Sequence, residues 1–182
     1  MKILEIGPAR SGVAFPGSDS VDSVNVHGLT FIAKWGFDKF PVEDMTYDIV
    51  YASHVLEHVP WFKTQDALLE AYRILKPGGK LEVWVPDFNV IVREYHKCIS
   101  GIPEDWNPHN HENELMKWIA GRLYAGTTPD EESSWHKAVF DRLYLSRCFR
   151  LAGFREVKSL DKQPAGQHVN HEFINLGVSG IR

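Results

Sequence analysis

The densest chemistry in this chain lies in His54-Val55-Leu56-Glu57-His58, where two imidazoles flank a carboxylate within five residues. On a helix His54 and His58 would share one face and could ligate zinc, with Glu57 as general base. The surroundings oppose that reading. The motif begins directly after the apolar run Tyr47-Asp48-Ile49-Val50-Tyr51-Ala52, and Pro60 follows His58 by two residues, so no long regular helix carries it. No distant glutamate stands out as a third ligand, and no metal site is assigned. Alternatively, His54 just past a strand end is a candidate general base, since imidazole titrates in the useful range. The competing role for His54 and Glu57 is to fix the loop by hydrogen bonds, and His58 reads as structural. A second group, His109, His111, Glu112 and Glu114, sits in a Pro/Asn-rich stretch and reads as a solvated helix entry. His136, beside Trp135, is a candidate for a substrate side, with structure again the simpler reading.

The second chemical feature is Lys2-Ile3-Leu4-Glu5-Ile6-Gly7-Pro8-Ala9, an apolar strand with one acid that breaks into a glycine turn. Such a turn presents backbone N–H groups and a carboxylate to a nucleoside-bearing ligand at the carboxyl edge of an open α/β sheet.

The elements that must position these residues are legible from periodicity and breakers. Strands are expected at residues 2–6, 21–26, 30–33, 47–52 and 80–85, with later strands at 154–160 and 173–178. Ala67, Leu68, Ala71 and Leu75 share a face of a helix over 64–75 that Pro77-Gly78-Gly79 stops. Strand, helix and strand with a tight return form a right-handed βαβ unit. Helices are further expected at 90–99, at 115–123 with Leu115, Trp118, Ile119 and Leu123 inward, and at 138–151.

By Gly79 the motifs form a recognisable ordered set. Leu4-Glu5-Ile6-Gly7, the stretch Phe40-Pro41-Val42-Glu43-Asp44-Met45-Thr46-Tyr47-Asp48-Ile49-Val50, Ser53-His54-Val55-Leu56-Glu57-His58, and Arg73-Ile74-Leu75-Lys76-Pro77-Gly78-Gly79-Lys80-Leu81 resemble class I S-adenosylmethionine-dependent methyltransferases, nearest their small type 11 branch. The likeness covers roughly residues 2–88 and returns weakly at Leu151-Ala152-Gly153-Phe154. It implies an α/β, Rossmann-like, mostly parallel open sheet with helices on both faces and a helical insertion between strands five and six. The whole chain is then one domain, with a cofactor core at 1–88, a helical cover at 89–136, and the last helix and strands at 137–182.

The resemblance implies S-adenosylmethionine as cofactor and methyl transfer to an O or N nucleophile of a small polar molecule. Its cofactor positions fall on Glu5, Gly7, Pro8, Ala9, Asn25, His27, Trp35 and Ser53, with His54 as the catalytic candidate. Three departures stand out. Ala9 replaces the second turn glycine, and Asn25 or His27 stands where a ribose-binding acid is expected, with Asp22 slightly early. Lys34-Trp35-Gly36 occupies the adenine position, where Trp35 is a stacking candidate, with Asp38 further on. Substrate choice would lie among Trp106, His109, Trp118, Tyr124 and Trp135. The alternatives are a non-catalytic scaffold that kept the fold and a zinc-dependent hydrolase.

Composition is compatible with this frame. The 182 residues are 43% hydrophobic, enough for a substantial core, and carry a net charge of -4 with no Lys/Arg cluster, which argues against a nucleic-acid surface. Cys98 and Cys148 lack paired zinc spacing and read as reduced thiols. No leader or bilayer-length apolar run is evident, so the expectation is a cytoplasmic protein without membrane contact, with a homo-oligomer open to it through the tryptophan-rich insertion. A first strand beginning at residue 2 leaves no room for the helix that usually precedes this fold, so part of the pocket is expected to be open or supplied by another chain.

Overall fold

In the computed structural model, which describes residues 1–8, 12–25, 28–101, 114–125, 132–166 and 173–182, seven strands form one sheet in the order β3-β2-β1-β4-β5-β7-β6. The strands are β1 (Ile3–Ile6), β2 (Asp19–Asp22), β3 (Phe31–Ile32), β4 (Tyr47–Ser53), β5 (Leu75–Pro86), β6 (Arg155–Leu160) and β7 (Asn175–Ile181). All pairings from β3 through β5 are parallel, and β7 alone runs against its neighbours β5 and β6. The order reverses between β1 and β4, and in open α/β sheets the crevice at that switch point is where ligands bind.

Alternation along the strands divides the sheet into two unlike faces. Leu4, Ile6, Val50, Ala52, Leu81, Val83 and Val178 point to one side and join the main core. Helix α1 (Thr64–Ile74) lays Ala67, Leu68, Ala71 and Ile74 on it, and α4 (Arg142–Leu151) adds Leu145, Cys148 and Phe149. The other side carries Glu5, Tyr51, Ser53, Glu82 and Trp84, all nearly sealed from solvent. Loop segments lie against it: Phe15 meets Tyr51 edge-on at 5.0 Å, and Gln163 bonds Ser53 at 2.7 Å. Trp84 turns its indole N–H to Glu82 at 2.9 Å and packs its ring where Gly177 has no side chain.

Several boundaries differ from expectation for identifiable reasons. The helix α1 ends at Ile74, with Leu75 already extended at φ -74, ψ 143, and Pro77 disfavours a return to helical backbone at Lys76. Pro77-Gly78-Gly79 is then absorbed into β5 as an irregularity: Tyr47 pairs with Leu75, but Ile49 pairs with Lys80. The second strand spans Asp19–Asp22 rather than residues 21–26, in register with Leu4 to Ile6. Residues 138–141 are not helical. Ala138 and Phe140 alternate inward while Val139 is exposed, Phe140 bridges Asp87, and Asp141 caps α4 by accepting from Tyr144 N at 2.7 Å. That period-two alternation is visible in the chain but was overridden by the helical run that follows.

Between β5 and β6, α2 (Phe88–Ile99) and α3 (Leu115–Tyr124) build a second small core from Val90, Ile91, Trp118, Ile119 and Ile174, with Leu115 and Leu123 against it. The inward positions expected for 115–123 are the ones observed. Cys98 and Cys148 are both free thiols. No described helix is long and apolar enough to cross a membrane.

A Cβ at Gly177 would fall 2.5 Å from the Trp84 ring, a distance the close-packed sheet face cannot absorb without moving the indole. Gly177→Ala is expected to destabilise the fold by about 1–3 kcal/mol, readable as a lower urea midpoint with unchanged slope.

Candidate active site

A cleft of about 240 Å³ opens at the carboxyl ends of β1, β2 and β3, bounded by Gly7, Asp22, Trp35, Phe37, Val55 and His58. Gly7 carries φ +65, and a Cβ there would stand 2.3 Å from Val55 Cγ2. Only glycine lets the chain leave β1 in that direction while Val55 closes in from the next loop. Its N–H donates to Val21 O at 2.8 Å, fixing the turn to β2. Two strand ends therefore meet at the floor of the cleft.

The residues singled out in the sequence distribute unevenly around it. Gly7 lines the cleft and Pro8 is buried beside it, whereas Ala9 and His27 lie outside the described residues. Glu5 is 3% exposed on the opposite sheet face and accepts from Ala14 N at 2.6 Å and from Phe15 N, so its carboxylate holds the loop after β1. Burial pushes its pKa up, against the pull of those two amides. Asn25 is exposed and does not line the cleft. Asp22 does, because β2 ends at Asp22 rather than at residue 26, and its Oδ1 accepts from Val24 N at 3.1 Å. Trp35 forms a wall, but its indole N–H is committed to Ala67 O at 2.7 Å and the ring is 4% exposed, so it is first a core residue. Asp38 turns back to its own loop, accepting from Lys34 N at 2.7 Å.

Ser53 faces away from the cleft. Its hydroxyl accepts from Gln163 Nε2, which also reaches Tyr51 Oη at 3.1 Å and Ala165 O at 2.8 Å. Burial pushes the Tyr51 phenol up to about 12. Asn175 Nδ2 donates to Gln163 Oε1 at 2.6 Å, which leaves Asn175 Oδ1 to accept from His54 Nε2 at 3.0 Å. The direction of each bond in this chain is thereby set.

His54 is a non-glycine residue at φ +55, placed there as its N–H bonds Trp84 O at the end of β5. The turn aims its other nitrogen, Nδ1, at Glu57 Oε1, 3.2 Å away. A short 3-10 turn, Leu56–His58, follows, so the regular helix that an H-x-x-E-H zinc motif requires is not formed, and His54 stands outside the turn. Both nitrogens of His54 are thus engaged in holding its neighbours. Glu57 is 1% exposed, with His54, His58 and His136 around it. Burial opposes its ionisation, but the contact with His54 and the charge on the three imidazoles outweigh it and hold the carboxyl below the usual glutamate range. Burial conversely lowers the pKa of His136, against the attraction of Glu57. Among the described residues these groups line a second cavity of about 200 Å³ with Arg122, Gly121 and Ile174. His58 borders both cavities.

Of the expected substrate-side residues, Trp118 is buried in the second core, Tyr124 and Trp135 are exposed, and Trp106 and His109 lie outside the described residues, as do His111 and Glu112.

Residues 19–83 match the model of a methyltransferase domain. The strand order and the glycine turn at its switch point agree with that match. The chain therefore carries a methyltransferase-domain match over part of its length and shares the fold of solved S-adenosylmethionine-dependent methyltransferases. A curated relative, the sterol 4-C-methyltransferase strm-1 of Caenorhabditis elegans, is 26% identical over 134 residues, a match covering 65% of this chain and 40% of the worm protein. The chain thus spans 40% of the length of that relative. A Thermotoga maritima S-adenosylmethionine-dependent methyltransferase, described as a possible histamine N-methyltransferase, superposes with a TM-score of 0.55 at 21% identity, covering 99% of this chain and 81% of the other. An Archaeoglobus fulgidus methyltransferase gives 0.58 at 14% identity over 100% and 86%.

The domain should report the environment of Glu5 through pH. Its folded pKa is raised, so its contribution to stability is full below the ordinary value of 4.5 and is lost as pH climbs through the folded value. Glu5→Gln keeps an acceptor for Ala14 N and removes that loss. The stability of E5Q relative to the parent is expected to increase from about pH 4 to about pH 8, measured by urea unfolding at each pH.

Proposed function

We propose that this domain holds S-adenosylmethionine in the cleft above β1, β2 and β3 and methylates an O or N nucleophile of a small polar acceptor admitted through the neighbouring cavity. The observation that carries this reading is the pairing of two cavities across His58. One has a glycine turn and a strand-end acid suited to a nucleoside; the other is lined by titratable side chains.

The residues present fit the cofactor. Gly7, whose missing Cβ keeps the backbone open, and the adjoining Pro8 take the methionine side; Asp22 accepts from the ribose hydroxyls; Trp35 and Phe37 wall the base. Glu5 acts from beneath, by anchoring the loop at Ala14 and Phe15 and by lending negative charge toward the ammonium group. Asn25 and Ser53, offered by the sequence for these roles, have other positions and are not part of this assignment. The cofactor supplies an electrophilic methyl group on a sulfonium, so the protein's share is proximity, alignment and exclusion of water. His54 serves this as a positioning residue, since one nitrogen binds Asn175 and the other faces Glu57. A polar acceptor suits a cavity bordered by His54, Glu57, His58, Arg122 and His136 better than a sterol, the acceptor class named for the worm relative, which would need apolar walls.

Calorimetric titration with S-adenosylmethionine and S-adenosylhomocysteine is expected to give micromolar binding of either. Asp22→Asn should weaken it by about 10- to 100-fold, as expected for loss of hydrogen bonds to a charged group, while Asn25→Asp should leave it unchanged. Absence of binding up to millimolar ligand would leave a scaffold that keeps the fold without the cofactor.

A further inference from the structure

The buried cluster around Glu57 has a geometry that methyl transfer does not call for. His58 gives Nδ1 to Trp135 O at 3.1 Å, and His136 gives Nδ1 to Arg122 O at 2.9 Å. A ring nitrogen facing a carbonyl must carry the proton, so in each neutral ring the lone pair is left on Nε2. The two rings meet edge to face with centroids 4.9 Å apart, and His136 Nε2 lies 3.9 Å from Glu57 Oε1. One ligand atom from each of Glu57, His58 and His136 falls within 4.8 Å of the others. Neither carboxylate oxygen of Glu57, sealed at 1% exposure, completes a well-formed hydrogen bond within the protein.

With the His58 and His136 rings neutral, the buried carboxylate and the two converging lone pairs make a ligand set that a cation would join. Histidines whose other nitrogen is tied to a backbone carbonyl are the usual form of a metal-binding imidazole, because the carbonyl sets the tautomer and the ring direction. Donor atoms around a tetrahedral zinc stand roughly 3.3–3.5 Å apart, from bond lengths near 2.1 Å, so modest side-chain adjustment closes this set. We propose that Glu57, His58 and His136 form a binding site for a divalent transition metal of the zinc class, with its remaining coordination positions facing the cavity of about 200 Å³ beside Arg122 and Gly121.

This is not the H-x-x-E-H arrangement. His54 is excluded as a ligand by its bonds and instead braces Glu57, as outer partners of metal-bound carboxylates do. Glu57 is a ligand rather than a base, and the third ligand, His136, comes from a segment 78 residues after His58. With two protein nitrogens and one oxygen the site has the make-up of zinc centres that keep a position open. The ligand it would take is a hydroxyl or carboxylate oxygen of the acceptor, a part of the inference that rests on the methyl-transfer reading.

The test is direct titration of the chelator-treated, desalted full chain with Zn²⁺ by calorimetry, with metal content after dialysis and the visible spectrum of a Co²⁺-loaded sample. One zinc per chain at micromolar or tighter affinity is expected, with a Co²⁺ spectrum of low coordination number. His58→Ala and His136→Ala should each weaken binding by at least about 100-fold, whereas His96→Ala, which removes an exposed histidine on α2, should not alter it. Circular dichroism checks that each variant is folded. Should one fail to fold, the other variant and the Co²⁺ spectrum of the parent decide. No zinc binding below millimolar, or equal binding in both folded ligand variants, would overturn the site. A parallel titration with S-adenosylmethionine separates the two readings: loss of zinc binding with the cofactor retained refutes the metal site alone, and the converse refutes methyl transfer alone.

Discussion

A carboxylate sealed from water has to be compensated, and the compensation of Glu57 organises the carboxyl edge of this molecule. Its side chain draws His54, His58 and His136 around it. Its backbone oxygen accepts from Lys137 N at 2.7 Å and Ala138 N at 3.1 Å, which pins the segment leading into α4. Through His54 the same residue is linked to Asn175, Gln163, Ser53 and Tyr51. Three regions distant in sequence, the loop after β4, the approach to α4 and the strands at the C-terminus, are thus held to one buried charge. An uncompensated charge at that depth would cost several kcal/mol, so this network is a condition of the fold as well as a wall of the site.

The two faces of the sheet meet their solvation requirements differently. The apolar face is closed by α1 and α4 in the ordinary way, by area removed from water. The other face carries Glu5, Glu82, Ser53 and Tyr51, which hydrogen bonding must satisfy: Ala14 and Phe15 serve Glu5, Trp84 and Lys80 serve Glu82, and Gln163 serves Ser53 and Tyr51. Loops with free amides and polar side chains suit that task better than an apolar helical stripe. The glycine- and proline-punctuated stretch after β1 can therefore take the place of a long helix there.

The two cavities follow from the same economy of elements. His58 borders both of them, and Val55, just ahead of it, lines the first and occupies the space that a side chain at position 7 would fill. Under the proposed reading, a cofactor cleft and an acceptor cavity separated by a single turn would bring two reactants to neighbouring positions without a moving domain. Substitutions in this turn should be read as acting on both sides at once.

What the sequence alone determined was everything that depends on local pattern: the strand at the start of the chain and its glycine turn, the buried run ending in Ser53, the apolar stripes of α1 and α3, and the ordered motifs that place the domain in its fold. Composition and periodicity act over a few residues, so these are readable one segment at a time. What only the tertiary structure decided were the pairings. Asp22 replaced Asn25 at the cleft because the register of β2 on β1 ends that strand at position 22. Ser53 went to the far face because a strand alternates. His136 joined His58 and Glu57 because the extended residues 137–140 cross beneath the loop after β4, and their alternation of buried and exposed positions was the one local sign of it. Long-range contacts set register and convergence, and no single stretch of chain carries that information.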